Sequence, residues 1–326
     1  MPILRRSLPL AAAALALFAS RVPAQTSLPA PPAQTSPAIS PPRLGGYLQA
    51  RETYQEHIGL TATLNRARLS ADGSLPNSFT YRFLIEYEAG GSARVAAAVS
   101  LRDAYVRWAR SWFALQGGQF KTPFSRSYLT SITAWETVDR PAVVDTLATK
   151  RDIGVMAELF RGVDASLSLG VFNGEGQNMV VNRDSSVLYV ARAMLRPLNQ
   201  LQIGASGASY EGDSTRAGLE ANIEQSGVVL RGEWLAQYRS GQNGRDDGWY
   251  ALAAARVLPW AQLVGMGEDL ERVHLGLAGR NRAITLGANL DLGANRTRLS
   301  VNWVEREAGA KQQLTRTLIA QLQVRI

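Results

Sequence analysis

"RAGLEANIEQSGVVLRGEWLAQYR", residues 216–239, reads as two strands joined by a tight turn. In the first strand Ala217, Leu219, Ala221 and Ile223 share one face, while Arg216, Glu220, Asn222 and Glu224 share the other. After Gln225-Ser226-Gly227 the second strand sets Leu230, Trp234, Ala236 and Tyr238 against Arg231, Glu233, Gln237 and Arg239. A period of two is the signature of a half-buried antiparallel sheet. Here one face is openly charged and the other carries no charge, which fits a wall with water on one side and lipid on the other.

The same pattern recurs along the chain. In "RTRLSVNWVER" (296–306), Leu299, Val301 and Trp303 oppose Arg296, Arg298, Ser300, Asn302 and Arg306. The last residues set Leu318, Ala320, Leu322, Val324 and Ile326 against Gln321, Gln323 and Arg325. From residue 44 onward about sixteen such segments follow one another, starting near residues 44, 61, 77, 96, 112, 151, 163, 186, 199, 215, 227, 248, 260, 282, 295 and 313. Joins such as "RG" (161–162), "QSG" (225–227) and "PW" (259–260) are short, whereas "NGEGQNMVVNRDSS" (173–186) and "SGQNGRDDG" (240–248) are long. Short turns at one rim and long loops at the other, with Trp108, Trp249, Trp260 and Trp303 near segment ends, predict a transmembrane antiparallel β-barrel of the bacterial outer membrane. Inside lipid a sheet edge has no hydrogen-bond partner, so the sheet must close. An all-β barrel of about sixteen strands is too wide for side chains to fill, and the expectation is a water-filled channel. A soluble sandwich or propeller needs no lipid-like face on every segment.

The N-terminus supports export. Arg5 and Arg6 precede an apolar stretch from Leu8 to Phe18 and small residues near Ala24, so residues 1–24 read as a signal peptide. Residues 25–43, rich in Pro, Ser and Thr, read as a disordered lead-in, leaving 44–326 as the barrel domain. Loss of the signal removes Arg5, Arg6 and Arg21 and no acids, lowering the formal charge from +8 to +5. That residual basicity suits small anions, and export argues against nucleic acid. With no Cys, stability rests on the fold itself. Catalysis is not expected: His57 and His274 are the only histidines and neither adjoins a nucleophile motif. No Cys or His cluster has metal-ligand spacing and no phosphate-cradling loop motif occurs, so neither cofactor nor metal is expected.

One stretch breaks the alternation. "GGQFKTPF" (117–124) ends a strand at Lys121, Thr122 and Pro123, and the chain then runs aperiodically to Lys150. An irregular run of that length is usually functional, and in a wide barrel the expectation is a third loop that folds inward and narrows the pore. "LNRARLSADGSL" (64–75), "SLRDAYVRW" (100–108), "GGQFKTPFS" (117–125) and "KRDIGVM" (150–156) together resemble the phosphate-selective porin O and P family. The resemblance implies a sixteen-stranded trimeric outer-membrane barrel with an arginine ladder leading to a lysine-bearing constriction and a preference for phosphate-like anions. It also implies that Lys121, the basic residue inside the best-matching motif, stands at the constriction. This chain has three lysines, Lys121, Lys150 and Lys311, too few for a lysine-rich constriction.

Strand parity points Arg66, Arg68, Arg82, Arg192, Arg231, Arg239, Arg296, Arg298 and Arg306 into the channel, where rows of guanidinium raise the local anion concentration. Arg126 and Arg140 in the third loop are further candidates, in competition with a loop-anchoring role through Glu136, Asp139 and Asp145. Inward arginines also have Glu86, Asp103, Asp152, Glu158, Glu220 and Glu233 as candidate partners within the wall. The expected function is an anion-preferring diffusion channel for phosphate or related oxyanions, seated in outer-membrane lipid as a homotrimer. The alternatives are a non-selective porin for small polar solutes and a structural or adhesive barrel.

Overall fold

In the computed structural model the described residues are 41–88, 98–179, 181–182, 185–241, 244–273, 279–293, 296–309 and 313–326. The signal-peptide reading, most of the Pro-rich lead-in, His274 and Lys311 lie outside them. Sixteen strands run in chain order. The first half comprises β1 (Arg43–Gln55), β2 (Gly59–Leu75), β3 (Phe79–Glu88), β4 (Ala98–Ala109), β5 (Phe113–Lys121), β6 (Arg151–Arg161), β7 (Ala165–Phe172) and β8 (Leu188–Leu198). The second comprises β9 (Leu201–Tyr210), β10 (Ser214–Gln225), β11 (Val228–Arg239), β12 (Arg245–Leu258), β13 (Ala261–Arg272), β14 (Gly279–Asp291), β15 (Thr297–Ala308) and β16 (Gln313–Arg325). Every neighbouring pair is antiparallel, and β1 pairs with β16 to close the barrel. Closure satisfies the last free edge, which lipid could not have hydrated.

Each strand start read from the alternation lies within three residues of the observed one. The 216–239 hairpin shows why. Its turn residues Ser226 (φ 50°) and Gly227 (φ 80°) both adopt left-handed backbone, the two-residue turn whose twist matches that of the flanking strands. The turn fixes the register Glu220 opposite Glu233 and Asn222 opposite Arg231, which aligns the polar residues of both strands on the inner face. Leu219, Leu230, Leu263, Ile284 and Leu286 are exposed on the outside of the barrel, as lipid contact requires. Trp249 and Trp260 sit at or near strand ends, but Trp303 is mid-strand in β15.

The inner face is not polar all round. Phe172, Leu188, Val190, Leu235, Tyr250, Leu252, Val264, Met266 and Leu270 point inward from β7, β8 and β11–β13 and are buried. They are covered by the connection between β5 and β6, residues 122–150, which carries two short helices, α1 (Arg126–Leu129) and α2 (Ala142–Leu147). Val143, Val144 and Leu147 of α2 are fully buried against this wall, together with Phe124, Ile132 and Trp135. Each aliphatic side chain so buried contributes about 1.5–3 kcal/mol. The inward fold of this loop therefore makes a hydrophobic core inside the barrel.

Candidate pore constriction

The loop begins at a backbone distortion. Gly118 in β5 has φ +128°, and a Cβ there would stand 2.2 Å from the Ala104 carbonyl oxygen, so only glycine fits. Next to it, the Gln119 amide donates to the Leu101 and Arg102 carbonyls (2.8 and 3.2 Å). At Pro123 the ladder stops, because proline has no N–H to donate. The Thr122 hydroxyl donates to the Lys150 carbonyl (2.8 Å), so the two ends of the loop are tied together.

Three wall carboxylates then catch the loop's backbone. Glu220 accepts from the Arg126 N–H (2.8 Å). Glu233, buried, accepts from the Ser127 N–H and from the Ser125 hydroxyl (both 2.6 Å) and from the Ser127 hydroxyl (2.5 Å). Glu268 accepts from the Ala142 N–H at the start of α2, where Pro141 supplies no side-chain cap. Amide groups at a helix start have no internal partner, so a carboxylate placed there satisfies them and complements the helix dipole. The sequence offered Glu220 and Glu233 as partners of wall arginines. Glu220 does pair with Arg192, whereas Glu233 is occupied by the loop.

The cationic candidates fall into two groups, with Lys121 belonging to both. Lys121 donates to three carbonyls of the loop, those of Tyr128, Leu129 and Thr130 (2.6, 3.1 and 3.2 Å). Arg140 donates to the Ser127 and Thr130 carbonyls (2.9 and 2.6 Å), and both cations lie over the Tyr128 ring (5.3 and 5.6 Å). Arg126 donates to Gln202 (2.9 Å) and reaches Glu224 (3.5 Å). Arg231 makes a two-pronged contact with Glu136 of the loop (2.7 and 3.1 Å) over the Trp135 ring (4.9 Å). These four cations anchor the loop, and Arg231 stands apart from the main cavity because the loop covers it. Burial pulls the Arg126 and Arg140 guanidiniums below their ordinary pKa, yet arginine starts so high that both remain charged. Arg296 is exposed in the turn between β14 and β15, off the wall, and Arg298 is bound to Asp291 (3.0 Å) near the same rim. Because Lys121 spends its three donors on loop carbonyls, Lys121→Met is expected to loosen the loop by about 2–4 kcal/mol. Gating noise in single-channel records should rise while the chloride-to-potassium permeability ratio changes by less than about twofold.

The second group lines a cavity of about 550 Å³ between the loop and the wall formed by β1–β6 and the end of β16. Six basic side chains border it, Arg68, Arg82, Arg107, Lys121, Arg151 and Arg325, against two acids, Asp103 and Glu158. The acids on this wall are shared. Glu86 holds Arg68 (2.9 Å) and Arg102 and lies 4.0 Å from Arg66. Asp103 lies between Arg151 (2.7 Å) and Arg82 (3.5 Å), and Arg82 also reaches Asp72 (2.7 Å). One carboxylate among several guanidiniums orients them without neutralising them, so the wall keeps an excess of positive charge. Arg151 also borders a second cavity of about 260 Å³ on the loop rim, with Lys150 and Arg216, and so stands where the two meet. Arg102, Arg107 and Arg151 were not among the sequence-based site residues. All three lie inside the stretches that carry the family resemblance, and at Arg102 a register shift against Leu84/Ile85 in the β3–β4 pair also breaks simple parity.

A model of the phosphate-selective porin O and P family matches residues 47–253. The chain belongs to this family. It is an outer-membrane porin, a channel-forming barrel of the bacterial outer membrane. Among solved structures it is similar in fold to the outer-membrane channel DcaP of Acinetobacter baumannii, at 12% identity and TM-score 0.66, covering 87% of this chain and 97% of that one. An anion-selective porin from Comamonas acidovorans gives 12% identity and TM-score 0.63, over 87% and 99% of the two chains. OmpT of Vibrio cholerae, in its trimer form, gives 9% identity and TM-score 0.63, also over 87% and 99%. No curated protein sequence matches. In this porin the rim with short turns and the first and last strand ends is periplasmic by the general architecture of such barrels, so the 550 Å³ cavity extends from the loop toward the periplasmic side. Among the described residues no group of three or more His, Cys, Asp or Glu side chains is placed to hold a metal ion.

Proposed function

We propose that this porin is a passive diffusion channel with a preference for anions, phosphate-like oxyanions among them. The supporting observation is the shared-carboxylate wall: Glu86 serves three arginines and Asp103 two, beside a cavity bordered by six bases and two acids. Arg66, Arg68 and Arg82 of the sequence-based set, joined by Arg102, Arg107 and Arg151, are the pore-lining residues in this reading. Several moderate sites in series satisfy the requirement that a permeating ion bind well enough to enter and weakly enough to leave. Residues 1–24 act as the secretion signal, and the barrel sits in outer-membrane lipid as a homotrimer. The trimer form of OmpT, which shares the fold, supports that assembly, as does a groove on the outer face lined by Ala50, Ala62, Leu64, Leu299, Ala320 and Leu322 together with Arg51, Glu52 and Thr63.

The reading is tested by the reversal potential of single channels in a potassium chloride gradient across a planar bilayer. A chloride-to-potassium permeability ratio of at least about fivefold is expected from a lumen with this charge excess. Addition of phosphate should reduce the chloride current. A ratio near one would favour a non-selective porin for small polar solutes, and an absence of stepwise conductance a structural or adhesive barrel.

A further inference from the structure

The 550 Å³ cavity has two unlike faces. Arg68, Arg82 and Arg107 project from β2, β3 and β4 on one side. On the other side half-buried Leu129 of the loop borders the cavity with its hydrocarbon, backed by Ile132, Phe120 and Met156, which line it as buried side chains of the core under the loop. Aromatic rings link the two. Tyr105 meets Phe120 edge-on (5.9 Å between centroids), Phe120 meets Phe172 in the same way (5.4 Å), and Tyr47 lies 5.6 Å from the Arg68 guanidinium.

From this pairing of faces we infer that the channel's favoured solutes are organic carboxylates with an apolar body, aromatic monoanions of the benzoate type, rather than inorganic phosphate. The assignment rests on the anion-channel reading and narrows it. A phosphate dianion is strongly hydrated and gains nothing from Leu129, which it must pass while partly dehydrated. It would also have to win guanidinium donors from Glu86, Asp72, Asp103 and Glu158, which already hold Arg68, Arg82, Arg151 and Arg107. A carboxylate asks for fewer donors, and its ring removes apolar area from water against the loop. The ring edge is also suited to Tyr105, which borders the cavity half-buried. Lys121, the one lysine among the described residues that borders the cavity, is held by loop carbonyls and offers no free ammonium for phosphate.

The test uses the full-length, detergent-purified protein in planar bilayers carrying chloride current, with benzoate, acetate and inorganic phosphate as blockers. Benzoate should half-block at a concentration about tenfold below acetate, a difference set by the ring's burial, and phosphate should block no better than acetate. Leu129→Asn should shrink the benzoate advantage to below about threefold, and Leu129→Met should keep it. Equal block by benzoate and acetate, stronger block by phosphate than by benzoate, or an unchanged advantage in Leu129→Asn would each overturn the assignment. The reversal potential of the same channels tells the two failures apart. Retained anion preference with equal block removes only this inference, whereas an absence of anion preference removes the channel reading with it.

Discussion

Replacing Arg68, Arg82 and Arg151 together by glutamine is expected to lower the chloride-to-potassium permeability ratio by about tenfold, to near one. The cavity would then carry three bases against its two acids, and Asp72 and Asp103 would lose the partners that now hold them. A unit charge about 6 Å from a permeating ion is worth roughly 3 kcal/mol at an effective dielectric of about 20, before screening by salt reduces it. Three such removals leave ample energy for a tenfold change even after screening. Glutamine keeps most of each side chain's length and polarity, so the barrel should still fold, which heat-dependent mobility on denaturing gels would verify. A triple variant that folds and keeps the parent reversal potential would show that these arginines are wall braces and that selectivity arises elsewhere.

The second large effect concerns the loop. Val143→Asp with Val144→Asp should undock residues 122–150 and raise single-channel conductance by about twofold. Both valines are fully buried against Leu235, Tyr250, Leu252 and their neighbours, and a carboxylate buried there without a partner costs several kcal/mol. The barrel itself is held by sixteen antiparallel strand pairings that do not involve α2, so its resistance to heat and detergent should be nearly unchanged. The inner wall once covered by the loop would become wetted, and the channel should widen toward β7–β13. Unchanged conductance in a correctly folded double variant would mean that the loop is not what limits flow.

These expectations separate two roles that parity alone could not. Both Arg68 and Arg231 point inward on alternating strands, and nothing in either strand distinguishes them. Arg68 borders the open cavity beside a shared Glu86, while Arg231 is sealed under the loop by Glu136 and Trp135. The same holds for Lys121, whose motif was legible but whose three carbonyl partners come from the end of α1, which no periodicity in residues 122–150 marks. Arg151 sat in plain view beside Lys150, and its importance follows from Asp103, 48 residues away in the chain.

The chain's alternation determined the barrel. In lipid every strand must show apolar residues outward and pair both edges, so the strand count and the closed sheet are written in a period of two that needs no distant information, whereas register shifts such as the one at Leu84/Ile85 are not. The inner lining was decided only by tertiary structure. Water, a docked loop and an ion pair can all stand behind an inward residue, and which of them does depends on where residues 122–150 come to rest. That resting place is set by the unexpected apolar faces of β7, β8 and β11–β13 and by three carboxylates spaced across β10, β11 and β13.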